Sequence, residues 1–277
     1  MFSETAYAKV NLSLLITGKR EDGYHLLDTV MQTVSLYDTV KVSKNNSDEI
    51  NVFCDNDHIC GEDNICYKAA VLFLERSKID NGVNIEIIKR IPLAAGLGGG
   101  STDAAAVLRL LNRLFDEPLS YDDLCKIGLK LGADVPFCIK GGTARVKGIG
   151  EKLESINPAL NTYIVLIKEG NKNSTAQMYR QFDLNCEFSD ADIVDKMSLS
   201  LENGNYNDFI STVYNDFSLV SDYEGIERNL KEVGADAVSV SGSGPTVMGI
   251  FKTKEMADNA VKILSKKYSN VFSVQGV

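Results

Sequence analysis

The run Ile91-Pro92-Leu93-Ala94-Ala95-Gly96-Leu97-Gly98-Gly99-Gly100-Ser101-Thr102-Asp103-Ala104-Ala105-Ala106 constrains the fold more than any other part of the chain. Before it, Val83-Asn84-Ile85-Glu86-Ile87-Ile88 alternates as a strand does; after it, Ala104, Ala105, Val107, Leu108, Leu111 and Leu114 recur at helical spacing. A strand that passes through glycines into a helix is a cradle for phosphate. Glycine reaches positive φ and lets a ligand approach the backbone, and the first helical turn presents unpaired N–H donors at the positive end of its dipole. Ser101 or Thr102 is expected to cap that helix. No lysine precedes Ser101, so the run is not a P-loop, and it does not spell G-x-G-x-x-G. A flexible surface loop is the competing reading; Pro92 at the start and an apolar helix at the end argue against it.

Thr5–Ile16 has clean period two, with Ala8, Val10, Leu12 and Leu14 on one face and Tyr7, Lys9, Asn11 and Ser13 on the other. An ammonium at Lys9, within a core strand, needs a partner or a ligand, unless the lysine snorkels from a sheet edge. A polar turn, residues 18–23, leads to Tyr24-His25, and strands are predicted over Val30–Val42 and Glu49–Cys54. Asp63-Asn64 caps a helix running to Ile79. Ser120-Tyr121-Asp122-Asp123 is a capping box for a helix that Gly132 should end in a left-handed conformation. Asp134 follows in Gly132-Ala133-Asp134-Val135-Pro136, where Pro136 is expected to hold Val135 extended and aim the carboxylate; a turn or capping aspartate is the alternative. Short strands over residues 141–153 lead to a lobe boundary near Ile156-Asn157-Pro158, which divides the chain into 1–156 and 157–277. Beyond it lie a strand at Tyr163–Lys168, helices at Ser174–Phe182, Asp190–Glu202, Tyr206–Tyr214 and Tyr223–Val233, and strands at Ala237–Val240 and Thr246–Phe251. A helix at Lys254–Lys267 and a strand at Val271–Val274 complete the reading.

Composition narrows the function. A formal net charge of −9 argues against general nucleic-acid binding, which leaves a basic footprint, so an anionic ligand must be held by local N–H groups and a few placed cations. No apolar run approaches the ~20 residues of a membrane span. Met1-Phe2-Ser3-Glu4-Thr5 lacks a secretory pattern. The six cysteines contain no C-x-x-C pair and read as reduced, buried thiols of a cytoplasmic protein, and two histidines, His25 and His58, are too few for a histidine-rich metal site.

A glycine loop, an internal lysine and an isolated aspartate are the parts of a phosphoryl transfer: amides and a metal hold the donor phosphates, the lysine offsets developing charge, and the aspartate accepts the proton of an acceptor hydroxyl. Pro92 to Ala105 resembles the phosphate loop of the GHMP small-molecule kinases, and Ser239-Val240-Ser241-Gly242-Ser243-Gly244-Pro245-Thr246 their C-terminal glycine motif. Ala8-Lys9-Val10-Asn11-Leu12, Arg20-Glu21-Asp22-Gly23-Tyr24-His25 and Gly132 to Pro136 are similar to the members whose acceptor is 4-diphosphocytidyl-2-C-methyl-D-erythritol.

The resemblance implies an α+β fold of two lobes, with an N-terminal mixed sheet with helices and a smaller C-terminal α/β sandwich. It implies ATP-dependent phosphorylation of the acceptor's 2-hydroxyl, in the non-mevalonate route to isoprenoids, by a cytoplasmic monomer or weak homodimer binding neither nucleic acid nor membrane. Lys9 and Asp134 match the catalytic pair, with Asn11 beside them on the substrate. Pro92, Leu93, Ala94, Ala95, Gly96, Leu97, Gly98, Gly99, Gly100, Ser101 and Thr102 match the ATP segment, with Mg2+ on the ATP phosphates near Ser101. Tyr24 and His25 match the residues that stack on the cytosine and hydrogen-bond its edge. Tyr179 is the candidate for the other cytosine face, or else a core tyrosine of an amphipathic helix. Lys168 to Asn173 lacks the proline expected at that rim, Asp103 would repel phosphate unless a metal lies between, and Asn64 is assigned to the adenine side. Kinases of mevalonate, homoserine or sugars have no nucleobase for Tyr24 and His25, and a non-catalytic ATP-binding sensor would not need both Lys9 and Asp134.

Overall fold

Two long strands, β1 (Phe2–Lys19) and β2 (His25–Lys44), carry the first part of the chain. In the computed structural model, which describes residues 1–55, 61–170, 174–189 and 192–277, they are joined by a tight turn. Arg20 N–H donates to the Tyr24 carbonyl at 2.8 Å, and Gly23 supplies the φ of +88° that the turn requires. β1 is buried on both of its faces from Ala8 to Leu15, so its polar residues Lys9, Asn11 and Ser13 lie inside as well.

The chain falls into two units. Met1–Ala8, Leu36–Leu93 and Gly98–Gly141 form the first; Lys9–Ser35, Ala94–Leu97 and Gly142–Val277 form the second. The first holds β3 (Ile50–Cys54), α1 (Ile65–Ser77), β4 (Val83–Ile88), α2 (Gly99–Leu114), α3 (Tyr121–Leu131) and α4 (Val135–Lys140). β3 pairs parallel with β4, which pairs antiparallel with the Thr39–Lys44 end of β2. The helices pack on one another around α2, where Thr102 to Leu108, Leu110 and Leu111 are all buried. Consecutive alanines at 104–106 present so little bulk that neighbours approach on several sides.

Three local expectations change here. α2 starts at Gly99, with Gly98 as its cap at φ +69° and no side-chain cap bond, so Ser101 and Thr102 lie within the first turn instead of capping it. Gly132 ends α3 at φ 172°, an extended conformation, and not a left-handed one. Val135 is not extended: it opens α4, with Asp134 as the cap residue and Pro136 in the first turn, where a missing N–H costs no helical bond. The Ser120 cap forms as expected, accepting from Asp123 N–H.

The second unit contains β5 (Thr143–Gly148), β6 (Lys152–Ile156), β7 (Tyr163–Lys168), α5 (Thr175–Asn185), α6 (Asp192–Asn203), α7 (Tyr206–Ser211) and β8 (Tyr214–Asn215). A 3-10 turn at Asp216–Val220 is followed by α8 (Glu224–Glu232), β9 (Ala237–Val240), β10 (Thr246–Phe251), α9 (Lys254–Leu264) and β11 (Val271–Gln275). β5 pairs antiparallel with both the start of β2 and β6. A four-stranded antiparallel sheet runs β11-β7-β10-β9, and its buried Val165, Ile167, Val247 and Phe251 form one core with Leu230 of α8 and Ala257, Ala260 and Leu264 of α9. Ser174 caps α5 in a capping box. The expected start of α6 at Asp190 lies outside the described residues, as do His58 and Cys60. Of the five described cysteines, Cys66 and Cys138 are buried as expected, whereas Cys54, Cys125 and Cys186 are partly exposed. Among the described residues, no helix is long and apolar enough to cross a membrane.

Sequence periodicity does not show β8. The helix expected to run to Tyr214 stops at Ser211, and Tyr214–Asn215 pairs parallel with Ser13 and Leu14 of β1. Asn215 explains this. Its fully buried side chain donates to the Val240 carbonyl at 2.8 Å and the Gly242 carbonyl at 2.9 Å, and accepts from Phe217 N–H at 2.9 Å. Asn215→Ala strands two carbonyls and one amide, so urea denaturation should show a loss of about 2–4 kcal/mol. A loss below about 0.5 kcal/mol would mean that these bonds contribute little.

Candidate active site

The glycine segment changes direction at Ala94, Gly96 and Gly98, whose φ values are 51°, 76° and 69°. Gly96 has no room for a side chain: a Cβ there would lie 2.4 Å from the Ser241 carbonyl oxygen and 2.9 Å from that of Gly244. Ser241 Oγ donates to the Gly96 carbonyl at 3.2 Å, and Lys9 N–H donates to the Leu97 carbonyl at 3.0 Å. A Cβ on Gly242 would fall 3.6 Å from Lys9 Nζ and 3.7 Å from Asn11 Oδ1. The second unit thus brings together Lys9, Asn11, the Ala94–Leu97 segment and the Ser241–Gly244 turn.

Lys9 is 3% exposed and does not snorkel. Its ammonium donates to Asn11 Oδ1 at 2.8 Å; Asn11 Nδ2 donates to Thr29 Oγ1 at 2.9 Å, and the Thr29 hydroxyl donates to the Ser13 carbonyl. Each donor in this chain fixes the orientation of the next group, so the ammonium is held on a rigid sheet.

In the first unit, the glycine cap leaves the opening amides of α2 without a side-chain oxygen from the cap residue. Gly99, at the first helical position, has an ordinary φ, but a Cβ would meet Ile91 Cγ2 at 3.1 Å. The loop that carries Asp134 runs alongside: a Cβ on Gly132 would lie 4.0 Å from Ser101 Oγ. Asp134 is half-buried, and its side chain does not cap α4.

Asp103 is turned away from the phosphate role. Lys89 Nζ donates to Asp103 Oδ2 at 2.5 Å and to Asp38 Oδ2, while Asp38 Oδ1 accepts from the amides of Arg90 at 2.5 Å and Ile91 at 2.8 Å. The three side chains are 8%, 4% and 0% exposed for Lys89, Asp103 and Asp38. One ammonium therefore ties the strand end entering the glycine loop to the helix leaving it. Burial alone would lower the Lys89 pKa, yet the carboxylates of Asp103 and Asp38 raise it. Burial raises Asp103, against the pull of Lys89 and with the push of Asp38.

Tyr24 stands at the hairpin end, 62% exposed, and His25 begins β2. Tyr179 lies on α5. Its ring stacks on the His25 imidazole, centroids 4.3 Å apart and planes within 10° of parallel, with the Phe217 ring against it edge-on at 5.0 Å. His25 Nε2 lies 2.6 Å from Asp183 Oδ1, and Lys19 Nζ lies 2.6 Å from Asp183 Oδ2. Asp183, Lys19, Lys89 and Asp38 were not among the sequence candidates. Only Asp183 carried a signal, standing one helical turn after Tyr179 on the same face of α5. Asn64 caps α1, accepting from Cys66 N–H at 2.8 Å.

Models of the GHMP kinases N terminal domain and the GHMP kinases C terminal region match residues 64–142 and 199–270. A Clostridium beijerinckii protein named 4-diphosphocytidyl-2-C-methyl-D-erythritol kinase is 42% identical over 276 residues, 96% of this chain and 97% of the relative. The chain belongs to that branch of the GHMP kinase family. A crystal structure of 4-(cytidine 5'-diphospho)-2C-methyl-D-erythritol kinase superimposes with a TM-score of 0.81 at 30% identity, each chain covered fully. L. major mevalonate kinase in complex with R-mevalonate gives a TM-score of 0.76 at 17% identity, covering 100% of this chain and 96% of that one, which is a likeness of fold alone. The α+β architecture expected from the sequence is that of this GHMP kinase branch.

Lys89→Met leaves two buried carboxylates without their cation and should cost about 3–5 kcal/mol in denaturant unfolding. Burial holds the folded-state pKa of Asp103 above its unfolded value, so the unfolded chain releases that proton first and stability falls as pH rises. Without Lys89 the fall between about pH 5 and 8 should steepen. Adding Asp103→Leu should recover part of the loss, and no recovery would show that the two side chains do not act as a pair.

Proposed function

We propose that this chain transfers the γ-phosphoryl group of ATP to the 2-hydroxyl of 4-diphosphocytidyl-2-C-methyl-D-erythritol, giving the 2-phosphate and ADP in the non-mevalonate route to isoprenoid precursors. The observation that carries this reading is the 42% identity over 96% of the chain to a protein of that name. The local geometry supports the individual roles.

The segment Pro92–Thr102 holds the ATP phosphates on its backbone amides and on the opening turn of α2. Ser101 is the residue that would help hold Mg2+ on those phosphates, where the ion would neutralise part of their charge. Asp134 accepts the proton of the 2-hydroxyl as the alcohol oxygen bonds to the γ-phosphorus and the bond to the ADP oxygen breaks. Lys9, held by Asn11, stabilises the charge that shifts during transfer. Tyr24 stacks on one face of the cytosine, His25 binds its edge, and Tyr179, whose ring stacks on the imidazole, is the candidate for the other face. Asn64 lies toward the adenine. Residues 1–156 serve as the ATP-binding and catalytic lobe and 157–277 as the lobe completing the substrate site, a division supported by the placement of the two family models on either side of it. A cytoplasmic monomer or weak homodimer that binds neither nucleic acid nor membrane completes the reading. The net charge of −9 supports its nucleic-acid clause.

ATP consumption with the cytidyl erythritol compound, set against mevalonate and homoserine, tests the acceptor; turnover with either of the latter alone would replace this reading. Asp134→Asn should lower turnover by about 10²-fold or more while ATP affinity stays within about twofold. A loss below about tenfold would remove Asp134 from the role of base. His25→Ala should weaken inhibition by CMP and reduce the preference for CMP over UMP, because every base has a π-face but only a polar contact tells one edge from another.

A further inference from the structure

The imidazole of His25 is fixed in two independent ways. Tyr179 stacks on it within 10° of parallel and so sets the ring plane; Asp183 Oδ1, 2.6 Å from Nε2, sets which ring nitrogen faces α5. The side chain of His25 is 6% exposed, so few other arrangements are open to it. Lys19 occupies the second Asp183 oxygen at 2.6 Å. Burial would raise the Asp183 carboxyl, yet Lys19 and His25 hold it below the usual carboxylate range. An ionised carboxylate has only lone pairs to offer, so Nε2 must be the nitrogen that carries a proton. In a neutral imidazole Nδ1 is then a bare acceptor. Nδ1 has no hydrogen-bond partner among the described residues.

That acceptor has a consequence for base selection. Cytosine presents a 4-amino donor where uracil presents a carbonyl oxygen. An acceptor on the protein pairs with the first and faces a second lone pair in the other. The opposite tautomer, with a proton on Nδ1, would reverse this preference. We propose that Asp183, held by Lys19, is the positioning residue that fixes the Nε2–H tautomer of His25 and so makes the acceptor site select cytosine over uracil. The proposal rests on the cytosine reading of Tyr24 and His25 given above. The discrimination then resides in a carboxylate on α5 that need not touch the base.

The test uses the full chain with CMP and UMP as probes. The chain has two histidines, so 15N-histidine labelling gives two ring spin systems, and His25→Ala identifies the one that matters. The wild type should show His25 as the Nε2–H tautomer and bind CMP more tightly than UMP. Asn at position 183 can accept from Nε2–H or donate to a bare Nε2, so Asp183→Asn should give a mixture of tautomers. The ratio of CMP to UMP affinity should fall about tenfold while the KM for ATP stays within about twofold. Asp183→Ala serves in the same comparison if the asparagine variant does not fold. Tyr24→Ala should weaken both nucleotides alike, since stacking does not read the edge. If His25→Ala abolishes discrimination but Asp183→Asn retains either the ratio or the pure Nε2–H tautomer, the role of Asp183 is overturned and the cytosine reading stands. If the wild type binds CMP and UMP equally, the cytosine reading itself fails and takes the proposal with it.

Discussion

Backbone meeting backbone at Gly96 is the constraint on which the arrangement around Lys9 in the second unit depends. A side chain there would overlap the carbonyls of Ser241 and Gly244, so the Ala94–Leu97 segment and the Ser241–Gly244 turn lie together only because glycine occupies the position. The positive φ of Gly96 gives a second, independent reason for the same residue. Once those segments meet, the Ser241 hydroxyl and the Lys9 amide each find a carbonyl on the loop. Asn215, far along the chain, secures the carbonyls on either side of Ser241.

Buried charge adds a further layer of order. Lys9 and Lys89 are both withdrawn from water, and each is accommodated by partners on rigid elements rather than by solvent. Lys9 donates to the Asn11 amide oxygen, whereas Lys89 bridges the carboxylates of Asp38 and Asp103. A buried cation that anchors a loop gains from carboxylate partners. Asp103, which a linear reading sets against the phosphates, belongs to the second arrangement.

The aromatic cluster follows the same logic at finer scale. A stack sets a plane and a carboxylate sets a proton, and neither alone defines what an imidazole presents to a ligand. Tyr179 and Asp183 are one helical turn apart on α5, so a single helix face supplies both constraints to His25.

Much of this protein was legible in the sequence because its signals are local. Glycines between an alternating and a helical segment mark a tight loop from strand to helix, period two marks β1, and the Ser120 and Ser174 caps lie beside the helices they begin. The α+β class and the family followed from motifs read in order. Local signals also misled where competing backbone preferences were close in energy: the cap moved to Gly98, Gly132 remained extended, and Val135 turned helical in spite of Pro136. What only the tertiary structure decided were the long-range partnerships. Asp38 with Lys89 and Asp103, Asn215 with the Val240 and Gly242 carbonyls, and Asp183 with His25 join residues whose spacing in the chain carries no periodic signal. A hydrogen bond or ion pair depends on distance in space, and periodicity reports only which face a side chain shares with its near neighbours.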